Sequence, residues 1–195
     1  MKKLLLFSLV CLFIVKTNVF AQSPMPGSQE VMQQAYARAA KENKNVMLIF
    51  HASWCGWCKK MEASLNDPTC KKMFDDNYVI TTLDVMEQPE KKNLENPGSM
   101  EMMTKFHGEK SGLSFWVILD AKGNVLADSQ VRPAGAPMDT YGDNVGCPAS
   151  EEEVAYLTKI LKTTSKLNDN DLAIISKRFA LNKPVPAPKL AAGTN

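Results

Sequence analysis

Two cysteines three residues apart, Cys55 and Cys58, stand in the stretch H51-A52-S53-W54-C55-G56-W57-C58-K59-K60, directly after the apolar run V46-M47-L48-I49-F50. Thiols at this spacing can exchange a disulfide with another molecule, supply half of a metal site, or close a permanent staple. A bridge across so short a loop removes little chain entropy and makes a poor staple. A zinc ribbon needs a second close pair, whereas Cys70 and Cys147 are single. The surrounding elements must decide how the pair is presented.

The chain has 195 residues, a length that suits one domain. Lys2 and Lys3 precede the apolar stretch from Leu4 to Val15, and Val19-Phe20-Ala21 offers small residues at the spacing of a signal-peptidase site. Residues 1–21 are therefore expected to be a signal peptide cut after Ala21, with a periplasmic or secreted product. The run is short for a bilayer span, which takes about 20 apolar residues, so no stable membrane insertion is expected after cleavage. Removing Lys2, Lys3 and Lys16 leaves 20 basic against 21 acidic residues, a net charge of −1. No basic patch calls for nucleic acid. An exported chain meets an oxidising compartment. A core of this size does not depend on a disulfide framework, which makes the thiols candidates for chemistry.

Periodicity orders the elements. Val31, Ala35 and Ala39, with Met32 and Tyr36, predict a helix over 28–43. Consecutive apolar residues from Asn45 to His51 predict a central strand covered on both faces. A helix is expected from Trp57 to Leu65, and Asp67-Pro68 is expected to cap and start another running to about Asp75. A strand follows from Tyr78 to Val85, then a polar stretch over 87–98, and a helix capped by Ser99 and ending near Phe106. Phe115–Asp120 and Val125–Asp128 predict a hairpin around Gly123. Residues 131–149, rich in Pro and Gly, are expected to be loop. Ser150 and Glu153 form a capping box before the stripe Val154, Leu157 and Leu161. A last helix over 169–181 offers Leu172, Ile175 and Phe179, and residues 182–195 are expected to be a disordered tail. This order implies an α/β fold, a mixed sheet with helices on both faces.

W54-C55-G56-W57-C58-K59, between a buried strand and a helix, resembles the thioredoxin superfamily, in particular its secreted bacterial branch with W-C-G-W-C-K-x-M. The resemblance covers about residues 30–163 and implies a thioredoxin-like domain over 22–181, with the helix after residue 168 as an addition. It implies a thiol–disulfide oxidoreductase acting on protein thiols and disulfides, without cofactor or metal, and exchanging electrons with a donor or acceptor in the cell envelope. A reductant is the favoured direction.

Two positions depart from the family pattern. The buried Asp expected six residues before the first cysteine is Ile49 here, and the proline that faces the disulfide in a cis peptide is Ser114. A cis bond before a non-proline residue costs roughly 2.5–4 kcal/mol, so residues 112–115 are expected to be trans or more mobile. The Ser114 hydroxyl is alternatively a donor to a Cys55 thiolate.

If Cys55 sits at a helix entrance, its sulfur faces unpaired N–H groups and the positive end of the dipole, which favour thiolate. Cys58, one turn on, can then attack a mixed disulfide at Cys55. Cys55 is thus the candidate nucleophile and Cys58 the resolving thiol. Trp54, Gly56, Trp57, Lys59 and Ser114 are candidate supporting residues, and Lys60 is a further nearby charge. Trp54 and Trp57 offer an apolar rim, whereas Trp116 belongs in the core.

Four further sites weigh less. His51 is expected to be a packed spacer rather than a tuner of Cys55, and His107 a helix-end cap. Met100, Met102 and Met103 are expected to fill the core. Cys70 and Cys147 could pair, stay separate or relay electrons. A reading from a different class keeps the fold but makes it a binding or chaperone-like module with little redox turnover; Ile49 and Ser114 motivate it.

Overall fold

The structure, a computed structural model, describes residues 25–184. The expected signal peptide and the tail beyond residue 184 lie outside the described residues.

Strand β1 (Asn45–His51) has five successive buried residues, as an unbroken apolar run requires when helices cover both faces. It pairs in parallel with β2 (Tyr78–Asp84) and antiparallel with β3 (Phe115–Leu119), which pairs antiparallel with β4 (Val125–Asp128). The strand order is β2-β1-β3-β4. Because side chains alternate along a strand, β1 and β3 feed two cores. Met47, Ile49, Trp116 and Ile118 pack with Met61 and Leu65 of α2 (Gly56–Leu65) and Phe74 of α3 (Lys71–Asn77). The same core takes Leu157 and Leu161 of α5 (Glu151–Thr164), and Ile175 and Phe179 of α6 (Asp169–Ala180). On the other face Val46, Leu48, Phe50 and Val117 meet Met32, Ala35 and Ala39 of α1 (Ser28–Glu42) and Met102 and Met103 of α4 (Ser99–Lys105). Each large apolar side chain fully buried in these layers contributes roughly 1.5–3 kcal/mol.

The helix ends show how local chemistry sets boundaries. Ser150 and Glu153 cap α5 reciprocally as expected, and Asn168 and Asp171 do the same for α6. Asp67, however, does not start α3. Its carboxylate accepts from the backbone N–H and hydroxyl of Thr69, closing a local turn, and the helix begins only at Lys71. Nor does Ser99 cap α4. Gly98 holds the cap position with φ 79°, and the Ser99 hydroxyl donates instead to the Asp84 carbonyl. Residues Pro89–Leu94 form a short 3₁₀ helix within the polar stretch.

The segment expected to be loop over 131–149 carries a small ladder, β5 (Gln130–Val131) with β6 (Asp143–Asn144). Side chains supply what the Pro/Gly composition hides. Buried Asp128 and Arg132 form a two-pronged ion pair at 2.7 Å, and Gln130 accepts from the Gly142 N–H. The packed chain also runs on past α6. Asn182, the first residue of the expected tail, is buried, and its amide donates to the Ser64 hydroxyl and to the Pro148 carbonyl.

Candidate active site

Strand β1 ends at His51, and a turn over 52–54 delivers Cys55 to the first turn of α2, where the Cys55 N–H donates to the Ala52 carbonyl. Cys55 is the N-cap of α2, and its sulfur accepts the Cys58 N–H at 3.0 Å. That contact puts a backbone donor and the positive end of the helix dipole on this sulfur, and both stabilise a thiolate when the pair is reduced. The two cysteines are joined in a disulfide, with Cα atoms 5.2 Å apart. Cys55 is 4% exposed and Cys58 2%.

Around the bridge the predicted supporting residues take different places. Trp54 and Trp57 stand 48% and 40% exposed on either side of Cys55. The Trp54 indole N–H donates to the Met86 carbonyl, and the Lys60 ammonium lies 4.3 Å over the Trp57 ring while also donating to the Asn182 carbonyl. Lys59 is exposed and carries its charge into solvent. Gly56 has nothing within 4 Å of where a Cβ would stand, so it leaves open space over the helix start.

Ser114 departs from expectation. The Leu113–Ser114 peptide bond is cis, not trans. The loop is held rather than loose: the Asn144 amide donates to the Ser111 and Ser114 carbonyls at 2.9 and 3.1 Å. Leu113 packs against Ala52, Cys55 and Cys58. The Ser114 hydroxyl is buried and has no hydrogen-bond partner among the described residues.

Two histidines are also placed. His51 is more than a packed spacer: its Nδ1 lies 2.8 Å from the Asp84 carboxylate, a contact that raises its pKa against the opposing effect of burial. Ile49 sits one β-repeat earlier on the same strand, in the core under α2. His107 does end α4, through its backbone: with φ 57° it donates its N–H to the Thr104 carbonyl. Trp116 is core, and its indole N–H donates to the Gly146 carbonyl. Met102 and Met103 are core as well, whereas Met100 is exposed.

Cys70 and Cys147 are separate buried thiols. They flank one small polar knot: the Cys70 thiol donates to the Ser64 carbonyl, and the Asn182 amide donates to the Cys147 sulfur. Burial raises both pKa values, that of Cys147 to about 12. Neither is a reactive thiolate near neutrality. Among the described residues no group of three or more His, Cys, Asp or Glu side chains is arranged to hold a metal ion.

One residue escaped the sequence reading. Glu87 is buried, and its two carboxyl oxygens accept from the N–H and the hydroxyl of Ser53 at 2.5 and 2.8 Å. With the Trp54–Met86 bond it clamps the turn that carries Cys55. No spacing in the sequence signals it, because the partners lie 34 residues apart.

The β2-β1-β3-β4 sheet, helices on both faces and a bridged C-x-x-C pair at the start of α2 make this a thioredoxin-like α/β fold. Residues 29–121, slightly under half of the chain, match the family described as Thioredoxin-like. Among solved structures, similarity extends to a disulphide isomerase from Xylella fastidiosa Temecula1, 20% identical over 49% of this chain and 68% of that one, with a TM-score of 0.41. A DsbH oxidoreductase is 22% identical over 74% and 85% of the two chains, TM-score 0.43. A putative protein disulfide isomerase from Bacteroides thetaiotaomicron is 22% identical over 67% and 79%, TM-score 0.39. No curated protein matches the chain.

Proposed function

We propose that this protein is a thiol–disulfide oxidoreductase acting on protein disulfides, with Cys55 as nucleophile and Cys58 as resolving thiol. The observation that carries the reading is the bridged pair capping α2, with the Cys58 N–H on the Cys55 sulfur and an apolar rim of Trp54 and Trp57 beside it. In the reduced protein the Cys55 thiolate attacks a substrate disulfide, one substrate sulfur leaves as thiolate, and Cys58 then displaces the other while the bridge reforms. Two electrons pass from the protein dithiol to the substrate. Work on exported substrates, with an electron donor in the envelope, follows from the signal-like N-terminus over 1–21.

Reduction of insulin by the reduced protein tests this. Activity that vanishes in Cys55→Ser supports the reading. An inactive wild type, or activity untouched by Cys55→Ser, refutes it and favours a thioredoxin-fold binding module, whose suppression of client aggregation would survive loss of both cysteines.

A further inference from the structure

Cys58 must shed a proton before it can attack, yet it is buried among apolar neighbours, which favours the neutral thiol. The family's usual acceptor position is occupied by Ile49, which has no acid–base chemistry. The Cys58 side of the bridge, however, opens on a cleft of about 450 Å³ between α2, α3, β1 and β2. Ile49, Cys58, Glu62, Tyr78, His51 and Asp84 are among its walls. A liquid water takes about 30 Å³, so the cleft has room for a chain of several.

We propose that His51, held by Asp84, accepts the proton of Cys58 through water in this cleft. The inference rests on the oxidoreductase reading above. Its geometry is that of an oriented base. The bond from Nδ1 to the Asp84 carboxylate fixes the neutral tautomer with the proton on Nδ1 and leaves the lone pair on Nε2, which no described residue engages. The other ionisable groups on the cleft are placed less well. Tyr78 gives its hydroxyl to a bond with Thr164, and Lys71 on α3 is paired with Asp75. Arg38 on α1 pairs with Glu42. Glu62 on α2 has no side-chain partner among the described residues to orient it, and with Glu87 beyond β2 it adds negative charge near His51. The bond to Asp84, with smaller contributions from the charges of Glu62 and Glu87, holds the imidazole above its ordinary value against the opposing effect of burial, which makes neutral His51 a stronger base.

The step balances. Cys58 S–H passes its proton by way of water to His51 Nε2, and the Cys58 thiolate attacks the Cys55 sulfur of the mixed disulfide. The Cys55–substrate S–S bond breaks, the Cys55–Cys58 bond forms, and the substrate leaves as thiolate to be protonated by imidazolium or solvent. Asp84 is a positioning residue in this scheme and His51 the acceptor.

Acid-quenched single-turnover reactions of the reduced protein with a peptide disulfide, followed by intact mass, separate formation of the protein–peptide adduct from its resolution. In wild type the resolution rate should rise with pH and level off once His51 is neutral, above the ordinary imidazole value of about 6.5. His51→Gln, which can keep a hydrogen bond to Asp84, should slow resolution roughly a hundredfold at neutral pH and restore a unit slope as hydroxide takes over, with adduct formation unchanged. Asp84→Asn removes the contact that raises the imidazole pKa, so its plateau should begin at lower pH and lie lower than in wild type, and circular dichroism checks that either variant is folded. Wild-type resolution and pH profile in both variants overturns the inference, as does loss of the profile in Glu62→Gln in place of His51→Gln. Absence of any adduct in Cys58→Ala overturns the oxidoreductase reading itself and this inference with it.

Discussion

Replacing Glu87 should disturb Cys55 from more than 30 residues away. The carboxyl group accepts two hydrogen bonds from Ser53, at 2.5 Å from its N–H and 2.8 Å from its hydroxyl, and the side chain is buried. A neutral hydrogen bond contributes about 0.5–1.5 kcal/mol net and one to a charged group about 1.5–3. Ser53 is only half-buried, so in Glu87→Ala water can reach the abandoned donors and recover part of the loss. About 3 kcal/mol is the expected cost for Glu87→Ala, and about 1–2 for Glu87→Gln, whose single amide oxygen still serves the Ser53 N–H. A cycle with Ser53→Ala should show a coupling of about 1 kcal/mol or more, since that substitution removes the hydroxyl bond alone. Guanidinium unfolding followed by tryptophan fluorescence measures the stabilities. Iodoacetamide alkylation of the reduced protein reads the function: a loosened turn weakens the Cys58 N–H contact with the Cys55 sulfur and lowers the thiolate fraction at acid pH. A Glu87→Ala protein that loses less than about 0.5 kcal/mol and alkylates like wild type would refute the clamp.

Other outcomes follow from the buried groups. The oxidised chain from residue 22 onward should give no reaction with a thiol reagent near pH 8 when folded, and two thiols, Cys70 and Cys147, once unfolded. Because burial raises the Cys147 pKa to about 12, its stabilising effect is complete below the unfolded value and is lost as pH climbs from about 9 towards about 12. Cys147→Ala should therefore unfold less steeply in alkali. The raised His51 pKa works at lower pH: its contribution is present below about pH 6.5 and fades as pH rises through the folded value, so the wild-type advantage over Asp84→Asn in urea should be larger at pH 5 than at pH 8. Arg132→Ala leaves the Asp128 carboxylate buried without its partner and should cost about 3–5 kcal/mol, with Asp128→Asn added to it restoring part of the loss. Ser114→Ala removes a buried hydroxyl that has no partner among the described residues and should stabilise the oxidised form by about 1 kcal/mol, read from its thermal unfolding.

What the sequence disclosed was whatever is written within a few residues. Strand β1 was legible because its apolar run needs no distant information, and the α5 cap because Ser150 and Glu153 stand three apart. The cysteine pair announced itself by spacing and its place after a strand. Asp67 misled because an Asp followed by Pro is equally good chemistry for a helix start and for a turn, and Thr69 settles the choice by offering two donors at once. The ladder of β5 with β6 was hidden because its stability resides in Asp128, Arg132 and Gln130 rather than in strand-like residues. Glu87 and the His51–Asp84 pair were illegible for a different reason. Each joins β1 or its exit to the end of β2, and that adjacency exists only after the parallel pairing of the two strands has formed.

The polar knot beneath α2 sets a schedule for making the molecule. Lys60 and Ser64 are tied to Asn182 across sequence separations of 122 and 118, and Asp67 to Arg178 across 111. A chain that emerges from its N-terminus presents Cys55, Cys58 and Cys70 long before Asn182 and Arg178 arrive, so the underside of α2 stays unbraced until synthesis is nearly done. Closing a loop of three residues needs none of those late contacts, whereas a wrong bridge from Cys55 or Cys58 to Cys147 must wait for about ninety more residues and close a far larger loop. The order of arrival along the chain thus favours the native pair, and Asn182 of the last turn beyond α6 then donates to the Cys147 sulfur.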